Sequence, residues 1–316
     1  MPRYLGIDTS NYTTSAALYD SDSDEVVSVK KLLPVAEGAA GLRQSDAVFS
    51  HVRQLPQVLA ELLEGKNGGI RAVCASARPR SVEGSYMPAF LVGEGTASAV
   101  ADALGVPILR CSHQEGHIVS AAHSAGAMSL LREEFYAFHV SGGTTECLLV
   151  RPEGTLFSVE LVARTLDLNA GQLVDRVGVA LGLPFPCGMA LDALSLTCDW
   201  KGSGQRVHPS FAGADCHFSG AQNQCETLLK KGAPPALAAR YAIEYICAAI
   251  GGMTERVMDA RGRKPVLYAG GVMSNSIIRA ALSERFGGRF ATPEFSSDNA
   301  SGPAIIASLL MAEGKG

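Results

Sequence analysis

Three segments in which a strand-like stretch runs into a turn of glycine, serine and threonine constrain this sequence most. They cover residues 6–15 (GIDTSNYTTS), 140–145 (VSGGTT) and 269–275 (AGGVMSN). Backbone N–H groups and hydroxyls at such turns form concavities that bind anions, and glycine lets the backbone approach a ligand closely. A single Gly-Gly pair usually marks only a tight turn. Three of these segments in one chain predict a nucleotide-binding protein, although the motifs G-x-x-x-x-G-K-[ST] and G-x-G-x-x-G are missing.

Strand-like and helical patterns alternate along most of the chain, which favours an α/β fold. Both halves follow one plan of strands, a glycine turn, strands and a helix, which suggests a duplicated domain. The predicted strands are 3–8, 14–19, 25–32, 70–75, 108–110, two within 135–150, 156–161, 265–269 and 289–292. The predicted helices are 45–65, with a kink or a break at Pro56, then 92–104, 113–131, 274–286 and 299–313. Residues 165–260 are predicted to be mostly helical, broken by Pro184, Pro186, Gly188 and the polar stretch 201–215.

Composition narrows the class of protein. The chain has 316 residues, of which 47% are hydrophobic, enough for a two-lobed unit, and no apolar run is long enough to predict a membrane span. Eight scattered cysteines without a C-x-x-C pair, and a start that does not read as a signal peptide, predict reduced thiols and a cytoplasmic location. A net charge of −4 predicts that any RNA is held with the help of partner proteins.

The segment His113-Gln-Glu-Gly-His117 is the sharpest indication of a metal site. Residues four apart share one face of a helix, so two imidazoles there can bind one cation, such as iron or zinc. An ordinary surface pair is the alternative. A zincin protease needs H-E-x-x-H, and Glu115 stands one place too late for that motif. Asp298 and His139 are the candidate remote ligands, although Asp298 also looks like a cap for the last helix.

The order of the motifs resembles the universal tRNA threonylcarbamoyladenosine transferase family, long misnamed as O-sialoglycoprotein endopeptidases. The motifs are GIDTS, HVRQLP at 51–56, HQEGH, VSGG, a P-x-G at 186–188, FSG at 218–220, AGGVMSN and SDNAS, and they span nearly the whole chain. The resemblance implies the actin–hexokinase–chaperone superfold, with two lobes, each a mixed sheet flanked by helices, and with an adenylate and a metal in the cleft. We predict a first lobe of 1–112 plus 293–316, and a second lobe of 113–292 with a mostly helical insertion around 165–230.

The resemblance also implies an activity and a set of site residues. The family transfers threonylcarbamoyl from threonylcarbamoyl-adenylate, made by a partner enzyme, to N6 of the adenosine beside the anticodon of tRNA, with small accessory proteins. The implied iron or zinc ligands are His113, His117 and Asp298. The implied contacts to the adenylate, or to ATP or AMP, are Ser141, Gly142, Gly143, Asp175, Gly188 and Asn275, and Gly270 and Gly271 join them because they precede a helix whose N-terminus can face an anion.

The chain departs from the family at the reactive end. The usual first turn TSCDET becomes Thr9-Ser10-Asn11-Tyr12-Thr13-Thr14, which removes two acids that could act as general bases. Ser10, Tyr12 and Thr13 are therefore the candidate catalytic residues. VSGGHT and FSGLK lose their histidine and lysine, at Thr144 and Gln222. His139 stands where other members carry a tyrosine at the metal, so it is predicted as an added ligand.

Three functions follow from these departures. The first is transfer of threonylcarbamoyl to tRNA itself. The second is a divergent paralogue that binds ATP or an adenylate and a metal and passes a carbamoyl-type group to another acceptor, or hydrolyses ATP. The third is a non-catalytic scaffold that pairs with a true transferase.

Overall fold

The computed structural model describes residues 1–10, 12–34, 42–66, 68–153, 156–295 and 299–314. These residues form two compact units. Unit 1 comprises Met1–Ser124, Glu153–Leu156 and Ser297–Gly316, and unit 2 comprises Ala125–Pro152 and Phe157–Ser296. The predicted boundary after residue 112 lies one helix earlier in the chain than the boundary between these units.

Strands and helices alternate through both units. The strands are β1 Arg3–Thr9, β2 Thr13–Asp20, β3 Glu25–Leu32, β4 Ile70–Arg78, β5 Ile108–Ser112, β6 Phe135–Val140, β7 Thr145–Glu153, β8 Leu156–Arg164, β9 Ser210–Ala212, β10 Asp215–His217, β11 Val266–Ala269 and β12 Arg289–Phe290. The helices are α1 Gln44–Leu63, α2 Phe90–Leu104, α3 His113–Ser124, α4 Ala170–Ala180, α5 Gly188–Leu196, α6 Ser219–Lys230, α7 Pro235–Arg261, α8 Ser276–Phe286 and α9 Ser301–Ala312.

In its described residues, unit 1 carries a five-stranded mixed sheet in the order β3-β2-β1-β4-β5. β1, β2 and β3 pair antiparallel, and β4 and β5 extend the sheet in parallel from β1. Side chains alternate between the two faces of a strand. Leu5 and Ile7 therefore pack with α1 and α2 on one face, while Gly6 faces α9, where a Cβ would lie 2.3 Å from the carbonyl oxygen of Ala300.

Unit 2 repeats this plan. Its described residues form a five-stranded sheet in the order β12-β11-β6-β7-β8, with β6 and β7 antiparallel and β11 and β12 added in parallel. β6 thus corresponds to β1, β7 and β8 to β2 and β3, and β11 and β12 to β4 and β5. Helices α4 to α8 supply most of the remaining core side chains. The α/β class, the mixed sheets flanked by helices and the shared plan were all predicted from the sequence.

One local prediction was wrong, and one pair of strands was missed. The predicted helix 113–131 ends at Ser124, because Gly126 adopts a positive φ of 61° and a separate short 3-10 helix, Met128–Arg132, follows. The polar stretch 201–215 interrupts the helices as predicted, but the antiparallel hairpin β9–β10, which begins within it, was not predicted. Strands of three residues are too short for alternation to be visible in the sequence.

A kink or a break was predicted at Pro56, and helix α1 runs through this residue without a break. α3 lies in unit 1 because it packs closely on α9. A Cβ on Gly116 would lie 3.1 Å from the Pro303 ring, and a Cβ on Gly302 would overlap the backbone of Gly116.

No helix among the described residues is long and apolar enough to span a bilayer.

Candidate active site

The two histidines of HQEGH stand at the start of α3, directly after β5 ends. The helix start is fixed by a reciprocal capping box, since Glu115 N–H donates to Ser112 Oγ at 3.1 Å and Ser112 N–H donates to Glu115 Oε2 at 2.6 Å. Glu115 is therefore engaged with the helix cap. Its position argues further against a role as the general base of a zincin protease.

His113 and His117 face each other across one helical turn. Their Nε2 atoms are 2.9 Å apart, and their ring centroids are 4.3 Å apart. Two imidazole nitrogens that bind one cation at about 2.0–2.1 Å are separated by about 3 Å, so this pair fits two ligands of one metal ion. The structure thus brings together two of the four predicted ligands.

The other two predicted ligands are placed differently. Asp298 lies outside the described residues. His139 lies on β6 in unit 2, where it pairs in register with Ala269 and Glu146. Within the described ranges, no group of three or more His, Cys, Asp or Glu side chains is arranged to hold a metal ion.

Asp8 is a residue of this site that the sequence reasoning missed. It lies near the end of β1, and its side chain is 1% exposed. Its Oδ2 accepts from His113 Nδ1 at 2.7 Å and from Ser76 Oγ at 2.6 Å, and its Oδ1 accepts from Ser10 N–H at 2.9 Å. A buried carboxylate is costly unless it is hydrogen-bonded in this way. The sequence identifies GIDTS as a turn motif, but it does not indicate that the Asp8 side chain contacts a histidine of the HQEGH segment.

His51 of α1 contacts both ends of the turn that joins β1 and β2. His51, fully buried, lies with Nε2 2.7 Å from the Ser10 carbonyl oxygen and Nδ1 2.8 Å from Thr14 Oγ1. Burial lowers the pKa of His51, while the Ser10 carbonyl and the charge of Asp8 oppose that change. The motif HVRQLP therefore contributes a histidine that positions the turn beside Asp8.

The three predicted catalytic residues of this turn differ in accessibility. Ser10 and Thr13 are each 3% exposed, whereas Tyr12 is 42% exposed. Thr13 lies at the start of β2 opposite Leu32, and the Tyr12 carbonyl accepts from Leu33 N–H at 2.9 Å. Among the three, Tyr12 has the side chain that a substrate could contact.

In unit 2, the turn after β6 is the centre of a second group of predicted residues. Ser141 N–H donates to the Thr144 carbonyl at 2.7 Å, and Thr144 N–H donates to Ser141 Oγ at 3.2 Å. The start of α4 lies against this turn, because a Cβ on Gly171 would be 2.5 Å from Gly142 N. Gly171 therefore permits the approach of a helix N-terminus that the sequence did not reveal.

The turn after β11 packs on the same segment. A Cβ on Gly270 would lie 2.2 Å from the Val140 carbonyl oxygen, and the φ of Gly270 is 101°, which side chains rarely adopt. At Gly142, Gly143 and Gly271 a Cβ would meet no atom within 4 Å. Gly270 therefore joins the two turns, while these other three glycines present accessible backbone.

Asp175 and Gly188, both predicted to contact the adenylate, lie close together in unit 2. Asp175, on α4, accepts from Cys187 N–H at 3.0 Å, and Gly188 begins α5 immediately afterwards. A Cβ on Gly188 would meet open space. In this structure, Asp175 fixes the start of α5 and leaves Gly188 exposed.

Asn275 caps α8 and is held by a second carboxylate that the sequence reasoning missed. Its side-chain oxygen accepts from Ile277 and Ile278 N–H, each at 3.1 Å, and its amide donates to Asp192 Oδ1 at 2.8 Å. Asp192 lies one turn after Gly188 on α5 and also accepts from Ser276 Oγ at 3.2 Å. In the sequence, Asp192 looks like a solvated helix residue.

The FSG segment is fixed by Asp167. This carboxylate accepts from Phe218 N–H at 2.8 Å and from the hydroxyl and N–H of Ser219, which begins α6. Partial burial disfavours its charge, but the hydrogen bonds from Phe218, Ser219 and Leu168 outweigh it and lower the pKa of Asp167 to about 2. Asp167 is thus an anionic anchor at a helix N-terminus.

Replacing Asp167 with asparagine is expected to destabilise the protein by about 1 kcal/mol at neutral pH, because each pKa unit corresponds to at most about 1.4 kcal/mol and solvent screens a group that is this exposed. The folded pKa is depressed, so this contribution is fully present above about pH 4 and is lost as the pH falls through about 2. Urea unfolding at pH 7, 4 and 3 should show the difference from wild type shrinking at the lowest pH. Asp259→Asn, at an exposed position on α7, is the matched control, and an equal loss in both variants would contradict the anchor role.

Sequence comparison relates this chain to one family of known proteins. The sequence model of the family described as "TsaD: tRNA N6-adenosine threonylcarbamoyltransferase" matches residues 37–304. A tRNA N6-adenosine threonylcarbamoyltransferase of Bacillus licheniformis is 31% identical over 300 residues, which cover 90% of this chain and 83% of the relative.

Solved structures agree on the fold alone. Component A of the (R)-2-hydroxyglutaryl-CoA dehydratase of Acidaminococcus fermentans is similar with a TM-score of 0.55 and 17% identity, covering 98% of this chain and 99% of its own. The ROK hexokinase of Thermus thermophilus is similar with a TM-score of 0.50 and 15% identity, covering 99% of this chain and 100% of its own. The chain therefore has the actin–hexokinase fold that was predicted.

Proposed function

We propose that this chain transfers a threonylcarbamoyl group from threonylcarbamoyl-adenylate to N6 of the adenosine next to the anticodon of tRNA. The reason is that the chain belongs to the family of tRNA N6-adenosine threonylcarbamoyltransferases. The observation that carries the proposal is the family match over residues 37–304, which includes residues of both units. The N6 nitrogen attacks the threonylcarbamoyl carbonyl carbon. A C–N bond forms, the C–O bond to phosphate breaks, AMP leaves and N6 loses a proton.

The donor is already activated, so the protein has mainly to position two reactants and to stabilise developing charge. In unit 2, the accessible backbone at Gly142, Gly143 and Gly271 suits the phosphate of an adenylate, ATP or AMP. The exposed start of α5 at Gly188 suits the remainder of the nucleotide. Gly270, Asp175 and Asn275 support this surface through the contacts described above, with Ser141 closing the turn.

The metal part of the proposal concerns unit 1. His113 and His117 fit a divalent cation, iron or zinc, and Asp298 and His139 stay predicted ligands from the sequence. Such a cation supplies Lewis acidity toward a carbonyl or phosphate oxygen. In the same unit, Asp8 orients His113, His51 holds the first turn, and Tyr12 presents its hydroxyl where the family has an acid.

Partners complete the proposal. A chain with a net charge of −4 gains RNA affinity from accessory or scaffold proteins that help to hold tRNA, and a separate enzyme must make the adenylate donor. The cytoplasm is the proposed location, because tRNA and the donor are found there.

The test is reconstitution with a threonylcarbamoyl-adenylate source, accessory proteins and a tRNA that reads ANN codons. Mass spectrometry of the digested nucleosides should reveal threonylcarbamoyladenosine, and expression should rescue a strain that lacks the enzyme. A control tRNA with guanosine in place of the target adenosine should stay unmodified. ATP turnover without any tRNA product would instead support the divergent paralogue, and no turnover at all would support the scaffold.

A further inference from the structure

Asp8 is a deeply buried carboxylate near the end of β1, the central strand of the sheet in unit 1. It is 1% exposed, lies in β1 opposite Ser15, and faces Ser76 of β4 through a 2.6 Å hydrogen bond. Taking an ionised carboxylate out of water is costly even when it is hydrogen-bonded. An apolar residue at this position in β1 would avoid that cost. The presence of a carboxylate at this cost indicates that Asp8 does more than fill space in the core.

The hydrogen-bond donors around Asp8 indicate which nitrogen of His113 carries a proton. Ser10 N–H approaches Oδ1, while the Ser76 hydroxyl and His113 Nδ1 approach Oδ2. An ionised carboxylate can only accept, so the contact at 2.7 Å places the proton of the His113 ring on Nδ1. In the neutral imidazole, the form that binds a metal ion, the other nitrogen, Nε2, then carries a lone pair.

That lone pair is aimed at His117. The two Nε2 atoms lie 2.9 Å apart, which requires a proton or a cation between them. A carboxylate on the far nitrogen of a ligating imidazole fixes the tautomer and ring orientation and raises the basicity of the ligand. The contact between Asp8 and His113 Nδ1 has this form.

We infer that Asp8 is a positioning residue that sets His113 in the Nδ1–H tautomer and thereby prepares the His113–His117 pair to bind a divalent metal ion. The inference rests on the metal part of the proposed function. It concerns binding of the ion and not the transfer reaction.

The decisive variant is Asp8→Asn, which keeps the size of the side chain. Asparagine offers one acceptor oxygen, whereas Ser10 donates to one oxygen of Asp8 and Ser76 and His113 to the other. At least one donor must then face the amide NH₂, and no charge remains to raise the basicity of His113. Ser76→Ala is the matched control, because it removes another hydrogen bond to the same oxygen and leaves the contact with His113 intact.

The measurement is titration of the metal-free full chain with Co(II), followed through its visible absorption, and then competition with Zn(II), without nucleotide or tRNA. We expect Asp8→Asn to weaken Co(II) binding by about 10- to 100-fold, and Ser76→Ala to weaken it by less than about threefold. Equal affinity of wild type and Asp8→Asn would overturn the inference, as would a wild type that binds neither ion.

A second measurement does not depend on the folding of the variant. In ¹⁵N-histidine NMR spectra of the metal-free wild type, His113 should carry its proton on Nδ1, and a dominant Nε2–H tautomer would overturn the inference. Failure here is distinguishable from failure of the proposed function. Modified tRNA together with unchanged metal affinity in Asp8→Asn would reject the role of Asp8 alone. Weakened affinity without any tRNA product would reject the transfer reaction alone.

Discussion

Replacing His117 with alanine is expected to abolish binding of the proposed metal ion and to lower the rate of threonylcarbamoyl transfer to tRNA by at least about a hundredfold. His117 supplies one of the two nitrogens that converge at 2.9 Å in unit 1, so its loss leaves His113 without the facing ligand. Electrostatic stabilisation of a developing charge by a metal ion contributes several kcal/mol, and each 1.4 kcal/mol corresponds to a factor of ten in rate. Metal content by mass spectrometry and the initial rate of nucleoside formation measure the two effects.

His123→Ala is the matched control for that experiment. His123 lies on the same helix, α3, but its Nε2 contacts Asp24 in the β2–β3 turn at 3.0 Å and not the paired histidines. The control should keep its metal and its activity, whatever small change in melting temperature accompanies it. Full activity of the metal-free His117→Ala protein would show that transfer proceeds without this pair. A parallel loss of metal in both variants would show a general loss of structure in α3.

Most of the fold could be predicted, because it depends on patterns that the sequence displays locally. The strands of both sheets alternate or form short apolar runs, and the glycine turns that end β1, β6 and β11 carry their own signature. The features that the sequence did not show depend on short strands or on tertiary contacts. The hairpin β9–β10 is too short to show a period, and α3 belongs to unit 1 because Gly116 and Gly302 let two helices meet closely.

The candidate site divides in the same way. His113 and His117 were predicted as a pair because four residues of helical spacing suffice to place them together. Asp8 and Asp192 were missed because their importance lies in partners that are distant in the chain. Asp8 meets His113 from 105 residues away, and Asp192 meets Asn275 from 83 residues away. The site residues stay predictions, and the structure adds the two carboxylates that support them.

Gly270→Ala should destabilise the protein by about 3 kcal/mol or more and should disrupt the proposed phosphate turn of unit 2. The added Cβ would lie 2.2 Å from the Val140 carbonyl oxygen and 2.8 Å from Val140 N, and the φ of 101° is unfavourable for alanine. Backbone of β6 or of the turn after β11 must shift to relieve the overlap. Because Ser141 and Gly142 follow Val140 directly, that shift reaches the segment proposed to hold the adenylate.

Gly271→Ala is the adjacent control, since its added Cβ would meet open space at an ordinary φ. It should change the free energy of unfolding by less than about 0.5 kcal/mol, the usual range for accessible positions. Its effect should appear instead as weaker AMP binding, because a methyl group would then occupy accessible backbone proposed to face the nucleotide. Urea unfolding and calorimetric titration with AMP separate the two glycines. Equal destabilisation by both substitutions would contradict the distinction between a structural Gly270 and a ligand-facing Gly271, and unchanged AMP affinity in Gly271→Ala would move the nucleotide away from this turn.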